Sequence, residues 1–320
     1  MDILLTEPLI PEAMAWLGQR YPLVLRPELA SDAAALRAAA YRPQAMVLSR
    51  KLRVTREFLD FAPRLRVLAR LHADTDNTDL EACRERRVRV IQARSAHVRP
   101  EAEYLLSALL MLYRPGIGLP LAGQRHAQIG LGREVNGSTV GLLGLAPAAH
   151  TLALLLRGLG ARLIGYDPAV HASSPTWRQL QVEPVTLPEL VAQADAVSVQ
   201  VIYASRYKGL VGEPLLSHCK PKQCWVGISR SDLFDADALA RALADGRIEA
   251  CVLDGAEAGF ASRGTPLHEA ANLYLTPRLG SHTREARARA SWYVAARIHE
   301  LLRTGMPERG GSAQREALPR

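Results

Sequence analysis

Lysine is almost missing from this chain. Only Lys51, Lys208, Lys220 and Lys222 are present, so arginine carries nearly all the positive charge behind a formal net charge of +8. The arginines are scattered and aromatic residues make up only 5% of the chain. A stacking platform beside a basic groove is therefore not expected, nor is nucleic-acid binding. The densest basic cluster, Arg284, Arg287 and Arg289, reads as a solvated helix face. No apolar run reaches the roughly 18 residues needed to cross a bilayer, so no membrane partner is expected. The first residues, from Asp2 to Leu5, carry no basic leader and read as a strand, which leads us to expect a cytoplasmic protein. Cysteine is scarce as well: Cys83, Cys219, Cys224 and Cys251. Cys219 and Cys224 have no second pair at zinc spacing, so neither a metal site nor a disulfide framework is expected.

What the chain has is a globular balance, 48% hydrophobic and 22% charged over 320 residues. That is enough for two domains with real cores. Strand and helix signals alternate almost throughout, which predicts α/β architecture with parallel sheets. Strands are expected at 2–5, 21–25, 45–48, 65–71 and 88–92, with helices at 11–20, 32–39, 56–62 and 80–86. A long apolar helix is expected at 100–113, then a loop over 114–135 rich in Gly, Pro and Gln. Further strands are expected at 139–143, 161–166, 182–186, 196–200, 224–229, 250–253 and 273–275, and a last helix at 284–302. The polar tail 304–320 reads as disordered. There is no internal repeat.

Residues 137–168 carry the most chemical information. Thr139–Leu143 suits a buried parallel strand, Gly144 a tight turn, Thr151–Leu159 a helix closed by Gly160, and Ala161–Tyr166 a second strand ending on Asp167. The interval from Gly144 to Asp167 suits a dinucleotide-binding unit, whose acid meets the adenosine ribose about 20 residues after the glycines. An acid there favours NAD over NADP. The glycine triplet, however, reads Gly144, Ala146, Ala149. Ala146 puts a methyl group where the backbone would approach the pyrophosphate, and Pro147 removes an N–H at the mouth of the helix. Ala149 stands at a position that tolerates alanine. The alternative is a strand–helix–strand unit that binds no nucleotide.

Ordered motifs extend this pattern over nearly the whole chain. They run from Leu4-Leu5-Thr6-Glu7-Pro8 through Asp76-Asn77-Thr78-Asp79-Leu80 and Ala102-Glu103-Tyr104 to the glycine turn. They continue through Ala194-Asp195-Ala196, Lys220-Pro221, Ser229-Arg230-Ser231-Asp232-Leu233, Leu253-Asp254-Gly255-Ala256-Glu257 and Thr276-Pro277-Arg278-Leu279-Gly280-Ser281-His282. In these motifs the chain resembles the D-isomer-specific 2-hydroxyacid dehydrogenases. The resemblance implies two Rossmann-like, doubly wound parallel-sheet domains with a cleft between them. Residues 1–99 and 284–320 would form a discontinuous substrate domain and 100–283 the NAD-binding domain, in a homodimer acting on a small-molecule substrate. It implies that Arg230 binds the substrate carboxylate and that Glu257 orients the catalytic base. Gly144, Ala146, Pro147, Ala148, Ala149, Tyr166, Asp167, Pro168, Ser229 and Asp254 would line NAD, with Asp254 near the nicotinamide.

The same resemblance exposes departures. Where the family has Thr-Pro-His, this chain has Thr276-Pro277-Arg278. A guanidinium stays protonated up to about pH 12, so Arg278 cannot shuttle the proton that an imidazole would. It can hold a developing oxyanion, or form a structural pair with Glu257. His282 reads as a surface or cap residue. The family's glycine-rich substrate loop reads Leu71-His72-Ala73-Asp74-Thr75, and His97 replaces an asparagine; Asp74 would repel a carboxylate. Its His/Asn–x–Pro pattern reads Gln200-Val201-Ile202. Two functions remain open: an NAD-dependent oxidoreductase acting on the CH–OH group of a small 2-hydroxy or 2-oxo acid or an altered substrate, and a catalytically silent relative that binds a metabolite or nucleotide.

Overall fold

The structure is a computed structural model that describes residues 2–72, 77–114 and 131–304. The substrate-loop residues Ala73 and Asp74, most of the loop expected at 114–135 and the tail from 305 onward lie outside the described residues. The chain divides into two compact units, one from the residues up to Ala96 and from Arg284 onward, the other from His97–Thr283.

In the first unit, β1 (Ile3–Leu5), β2 (Leu23–Leu25), β3 (Ala45–Val47), β4 (Val67–Arg70) and β5 (Arg89–Gln92) pair in parallel in the order β2-β1-β3-β4-β5. Helices α1 (Pro11–Gly18), α2 (Ala33–Ala39), α3 (Arg56–Asp60) and α4 (Leu80–Glu85) connect the strands. Alternate side chains of a strand face opposite sides of its sheet. Ile3, Leu5, Ala45, Val47, Val67 and Ala69 pack with Ala13 and Leu17 of α1 and with Val294 and Ile298 of the helix Arg284–Arg303. Leu4, Met46 and Leu68 pack the other way, against Leu36, Phe58, Leu59 and Cys83. Burial on both faces is why these strands read as plain apolar runs rather than alternating ones.

The second unit opens in α5 (Ser95–Tyr113), whose first two residues belong to the first. Its strands are β6 (Thr139–Leu143), β7 (Arg162–Tyr166), β8 (Glu183–Pro184), β9 (Ala196–Val199), β10 (Gln223–Gly227), β11 (Ile248–Asp254) and β12 (Leu273–Thr276). They form one parallel sheet in the order β12-β11-β10-β9-β6-β7-β8. Helices α6 (Pro147–Gly158), α7 (Pro175–Leu180), α8 (Leu187–Gln193), α9 (Glu213–Leu216) and α10 (Ala236–Ala244) cover it, and α11 (Arg284–Arg303) returns to the first unit. One core joins Val140, Leu142 and Val226 to Leu105 of α5 and to Leu152 and Leu156 of α6. The other joins Leu143, Val197 and Trp225 to Leu190 of α8 and Leu239 of α10. The strand order reverses between β6 and β9. Ligands of such sheets lie beyond the carboxyl ends of the strands at that point.

Several element bounds differ from the sequence expectation, and in three cases the difference turns on a proline. The helix expected from Thr151 begins at Pro147, because proline's fixed φ suits a first helical position. The helix expected from Pro100 begins at Ser95, so the proline lies inside it. Proline cannot donate to the carbonyl of Ala96, and Arg289 Nη2 does so instead at 2.9 Å. The strand expected over 182–186 shrinks to Glu183–Pro184 at the sheet edge, where Pro184 offers no N–H to extend the ladder.

Arg70, at the end of β4, is fully buried. Its guanidinium donates to the carbonyls of Ser49 at 2.8 Å and Leu52 at 3.0 Å and to Thr78 Oγ1 at 3.0 Å, gathering the segments that follow β3 and β4. Burial pushes its pKa down to about 10. Arg70→Met leaves those acceptors without a donor and should cost roughly 3 kcal/mol in denaturant unfolding. An unchanged midpoint would show that water replaces the guanidinium.

Candidate active site

The carboxyl ends of β6 and β9 meet at Gly144. Its φ is +96°, and a Cβ built there would lie 2.4 Å from Val201 N and 2.5 Å from the Gln200 carbonyl carbon. Only glycine fits a turn closed this tightly. Pro147 follows at the first helical position, and Ala148 and Ala149 are buried in the helix packing. The Gly144 amide donates to Tyr166 O at 2.8 Å and Ala149 N to Ala146 O at 2.7 Å. This leaves the amides of Ala146 and Ala148 at the head of α6 to meet an anion. Asp167 Oδ2 accepts from Leu145 N at 2.6 Å and Oδ1 from Ala169 N at 2.7 Å. The carboxylate thus braces the turn, and each oxygen keeps a lone pair for a ribose hydroxyl. Tyr166 ends β7 and Pro168 follows Asp167. A dinucleotide fits this turn, with one amide fewer at the helix head than a glycine-rich turn offers.

Arg230 follows β10 and precedes a tight turn at Ser231–Leu233. Its Nε lies 2.9 Å from Glu257 Oε1 and its Nη2 3.1 Å from Asp232 Oδ2. The Tyr203 ring covers it, with Cζ 4.9 Å from the centroid. Glu257 Oε2 accepts from Ser231 N at 2.8 Å and from the Ser231 hydroxyl, so both carboxylate oxygens are engaged. Burial pushes the Glu257 carboxyl up, but the Ser231 hydroxyl and amide and the Arg230 charge outweigh it and hold the group below its ordinary range. The Glu257 carboxylate, for which a structural pair with Arg278 was one of the readings, is engaged by Arg230 and Ser231.

Arg278 is exposed and adopts φ +61°. That conformation is uncommon outside glycine. A Cβ on Gly255 would meet Arg278 Cγ at 2.7 Å, so the arginine stem lies across the end of β11. Asp254, the last residue of β11, fixes the segment that carries it. Its Oδ1 accepts from Thr276 Oγ1 at 2.6 Å and Leu279 N at 2.7 Å, and its Oδ2 from Gly280 N at 2.8 Å. Tyr104 OH of α5 meets Thr276 Oγ1 at 2.5 Å. One turn before Tyr104, Glu101 is partly buried. Burial and the Asp254 charge push its carboxyl up to about 7.

The other expected site residues belong to both units. Ser229 is buried and its hydroxyl donates to Val199 O at 3.3 Å and Val201 O at 3.1 Å, clasping the ends of β9 and β10. His72 follows β4 in the first unit, and buried His97 lies in the first turn of α5. His282 is exposed, its amide donating to Leu279 O at 2.9 Å. Among the described residues no group of His, Cys, Asp or Glu could hold a metal ion.

Residues 121–280 match the family model described as D-isomer specific 2-hydroxyacid dehydrogenase, NAD binding domain. The (S)-sulfolactate dehydrogenase of Chromohalobacter salexigens is 30% identical over 304 residues, covering 94% of this chain and 98% of that protein. The chain belongs to the D-isomer specific 2-hydroxyacid dehydrogenases. The D-3-phosphoglycerate dehydrogenase of Mycobacterium tuberculosis is 30% identical over 328 residues and 99% of this chain, which spans 61% of that longer relative. The holo form of Rhodotorula graminis D-mandelate dehydrogenase shares the fold, with a TM-score of 0.80, 24% identity and coverage of 93% of each chain. Membership brings the function and cofactor expected from the sequence: NAD-dependent oxidoreduction of the 2-hydroxyacid dehydrogenase type.

Sequence reasoning assigned no role to Asp232, Ser231, Tyr203 or Glu101 in this 2-hydroxyacid dehydrogenase. An acid two residues after Arg230 was a readable signal for the first. For Glu101 the signal was a charge at helical spacing from the buried Leu105 and Ala108. The protonated form of Glu101 is favoured in the folded chain, so stability present below about pH 4.5 is lost as pH rises through about 7. Glu101→Gln should match the parent in Tm near pH 4 and exceed it at pH 8. Equal Tm at both values would place the carboxyl in water.

Proposed function

We propose that this dehydrogenase interconverts a small 2-hydroxy acid and its 2-oxo acid, with Arg230 as the carboxylate anchor. The observation that carries this reading is the Arg230–Glu257 pair at 2.9 Å, on the same sheet edge as the loop of Arg278. In this reading the second unit is the NAD-binding domain and the first the substrate domain. NAD supplies the hydride acceptor or donor for C2. The residues that would hold it are Gly144, Ala146 and Ala148 at the turn and Asp167 at the ribose. Glu257 and Ser231 fix the Arg230 guanidinium, whose planar fork matches a carboxylate. Arg278 holds negative charge on the C2 oxygen, and the proton comes from water, since the guanidinium keeps its own. Because a sulfolactate and a phosphoglycerate dehydrogenase are among its relatives, sulfo- and phospho-substituted 2-oxo acids belong in the substrate panel beside hydroxy-substituted ones.

Two finer points belong to the same proposal. Leu110 of α5 and Leu154 of α6 are large apolar side chains left exposed, which supports a homodimer formed through the second unit. Among the described residues no helix is long and apolar enough to cross a membrane. An NAD-linked enzyme of small acids would work in the cytoplasm.

The test is NADH binding by calorimetry followed by NADH oxidation across a panel of 2-oxo acids. Arg230→Lys should lower kcat/KM roughly 100-fold while NADH affinity holds. Equal turnover would remove Arg230 from the substrate. Arg278→His should raise 2-oxo acid reduction at pH 6, where imidazole is charged and can give up a proton, more than at pH 9. Arg278 is also the observation that favours a silent relative. NADH binding without turnover by either the parent or Arg278→His would establish that reading.

A further inference from the structure

Two acids share one guanidinium at this site. Glu257 is locked, because its second oxygen is held by the Ser231 amide and hydroxyl. Asp232 is different. Its backbone is fixed, with the carbonyl accepting from Gly209 N at 2.9 Å, but its carboxylate is over a third exposed and reaches Arg230 Nη2 at 3.1 Å. A bidentate carboxylate uses either the Nε/Nη2 edge or the Nη1/Nη2 edge of arginine. Nη2 belongs to both. The Tyr203 ring stands beside the guanidinium, its centroid 4.9 Å from Cζ, and because the N–H donors lie in the guanidinium plane an incoming carboxylate arrives at an edge. Glu257 holds Nε, so an incoming bidentate carboxylate uses the Nη1/Nη2 edge, and an acid bonded at Nη2 stands beside that approach.

We propose that Asp232 is a specificity-determining residue that occupies Arg230 until a substrate carboxylate displaces it. Binding is then an exchange of one anion for another on the same guanidinium. A displaced Asp232 carboxylate remains beside the bound acid and repels it unless the substrate offers a hydrogen-bond donor. The arrangement therefore disfavours plain 2-oxo acids. It favours those with a hydroxyl or ammonium group on the carbon beyond C2, to which Asp232 can bond. The inference rests on the reading of Arg230 as the carboxylate anchor.

The test compares the parent, Asp232→Asn and Arg230→Ala, each loaded with NADH. Oxalate binding is measured by calorimetry, and steady-state reduction is measured with glyoxylate and hydroxypyruvate. Asp232→Asn removes the competing charge, so it should bind oxalate about fivefold more tightly and lower the KM for glyoxylate by a similar factor. Its kcat should stay within about twofold, because Asp232 does not act on C2. The KM for hydroxypyruvate should fall less, since its hydroxyl exchanges a charged acceptor for a weaker neutral one. A structural role for Asp232 would instead lower kcat for both substrates. Asp232→Ser provides a second neutral variant should the amide itself bond to Arg230. If Arg230→Ala abolishes oxalate binding and both neutral variants bind it as the parent does, the proposal is overturned while the anchor reading stands. If Arg230→Ala binds oxalate as tightly as the parent, the anchor reading fails and this inference with it.

Discussion

A parallel sheet has all its carboxyl ends on one edge, and the chemistry of the second unit depends on that constraint. Gly144 follows β6, Ser229 and Arg230 follow β10, Asp254 closes β11 and Thr276 closes β12. β10, β11 and β12 follow one another along the chain, but β6 lies far upstream of them. They share an edge because every crossover returns the chain to the same starting side. The contact that sets the depth of this edge is the closure of Gly144 on Gln200 and Val201, where even a methyl group has no room. It places the head of α6 directly over the point where the strand order reverses.

The second level of organisation is electrostatic and consists of acids used as braces. Asp167 ties the turn to β7, Asp254 ties the Arg278 segment to β11, and Glu257 ties Arg230 to Ser231. Each carboxylate accepts backbone amides that a loop would otherwise leave to water. Such bonds are stronger than neutral ones and hold a loop without a hydrophobic side chain to bury. The arginines occupy the spaces so defined. The arrangement converts acidic residues into scaffolding for the segments that carry Arg230 and Arg278.

The sequence made some of this legible and hid the rest for physical reasons. The interval from Gly144 to Asp167 and the apolar runs between them were readable, because turn chemistry and burial on both faces leave local marks. Arg230, Glu257 and Asp254 could be placed because they stand at fixed offsets from strand ends. The start of α5 was misplaced because proline reads as the first residue of a helix, whereas Pro100 is carried within one by a donor from Arg289; the start of α6 was placed at Thr151, although Pro147 already begins the helix. The commitment of Asp167, Ser229 and Glu257 to backbone and neighbouring side chains was not readable. Those bonds depend on how loops distant in sequence meet. Glu101 was hidden for the same reason, since Asp254 lies on a strand far along the chain.

The burial of the cysteines has a use of its own. Cys83 and Cys224 are pushed up to about 11 and Cys219 to about 12 by the apolar packing around them, and Cys251 is raised by the same cause. At neutral pH almost no thiolate exists on the folded chain, and thiolate is the form that reacts with alkylating agents and disulfides. Cys83, Cys224 and Cys251 are buried while Cys219 is half-buried, so reaction at the first three becomes a record of opening. Cys83 belongs to the first unit and the other three to the second. The sequence thus carries its own reporters, from which the opening of each unit can be timed separately without any label being introduced.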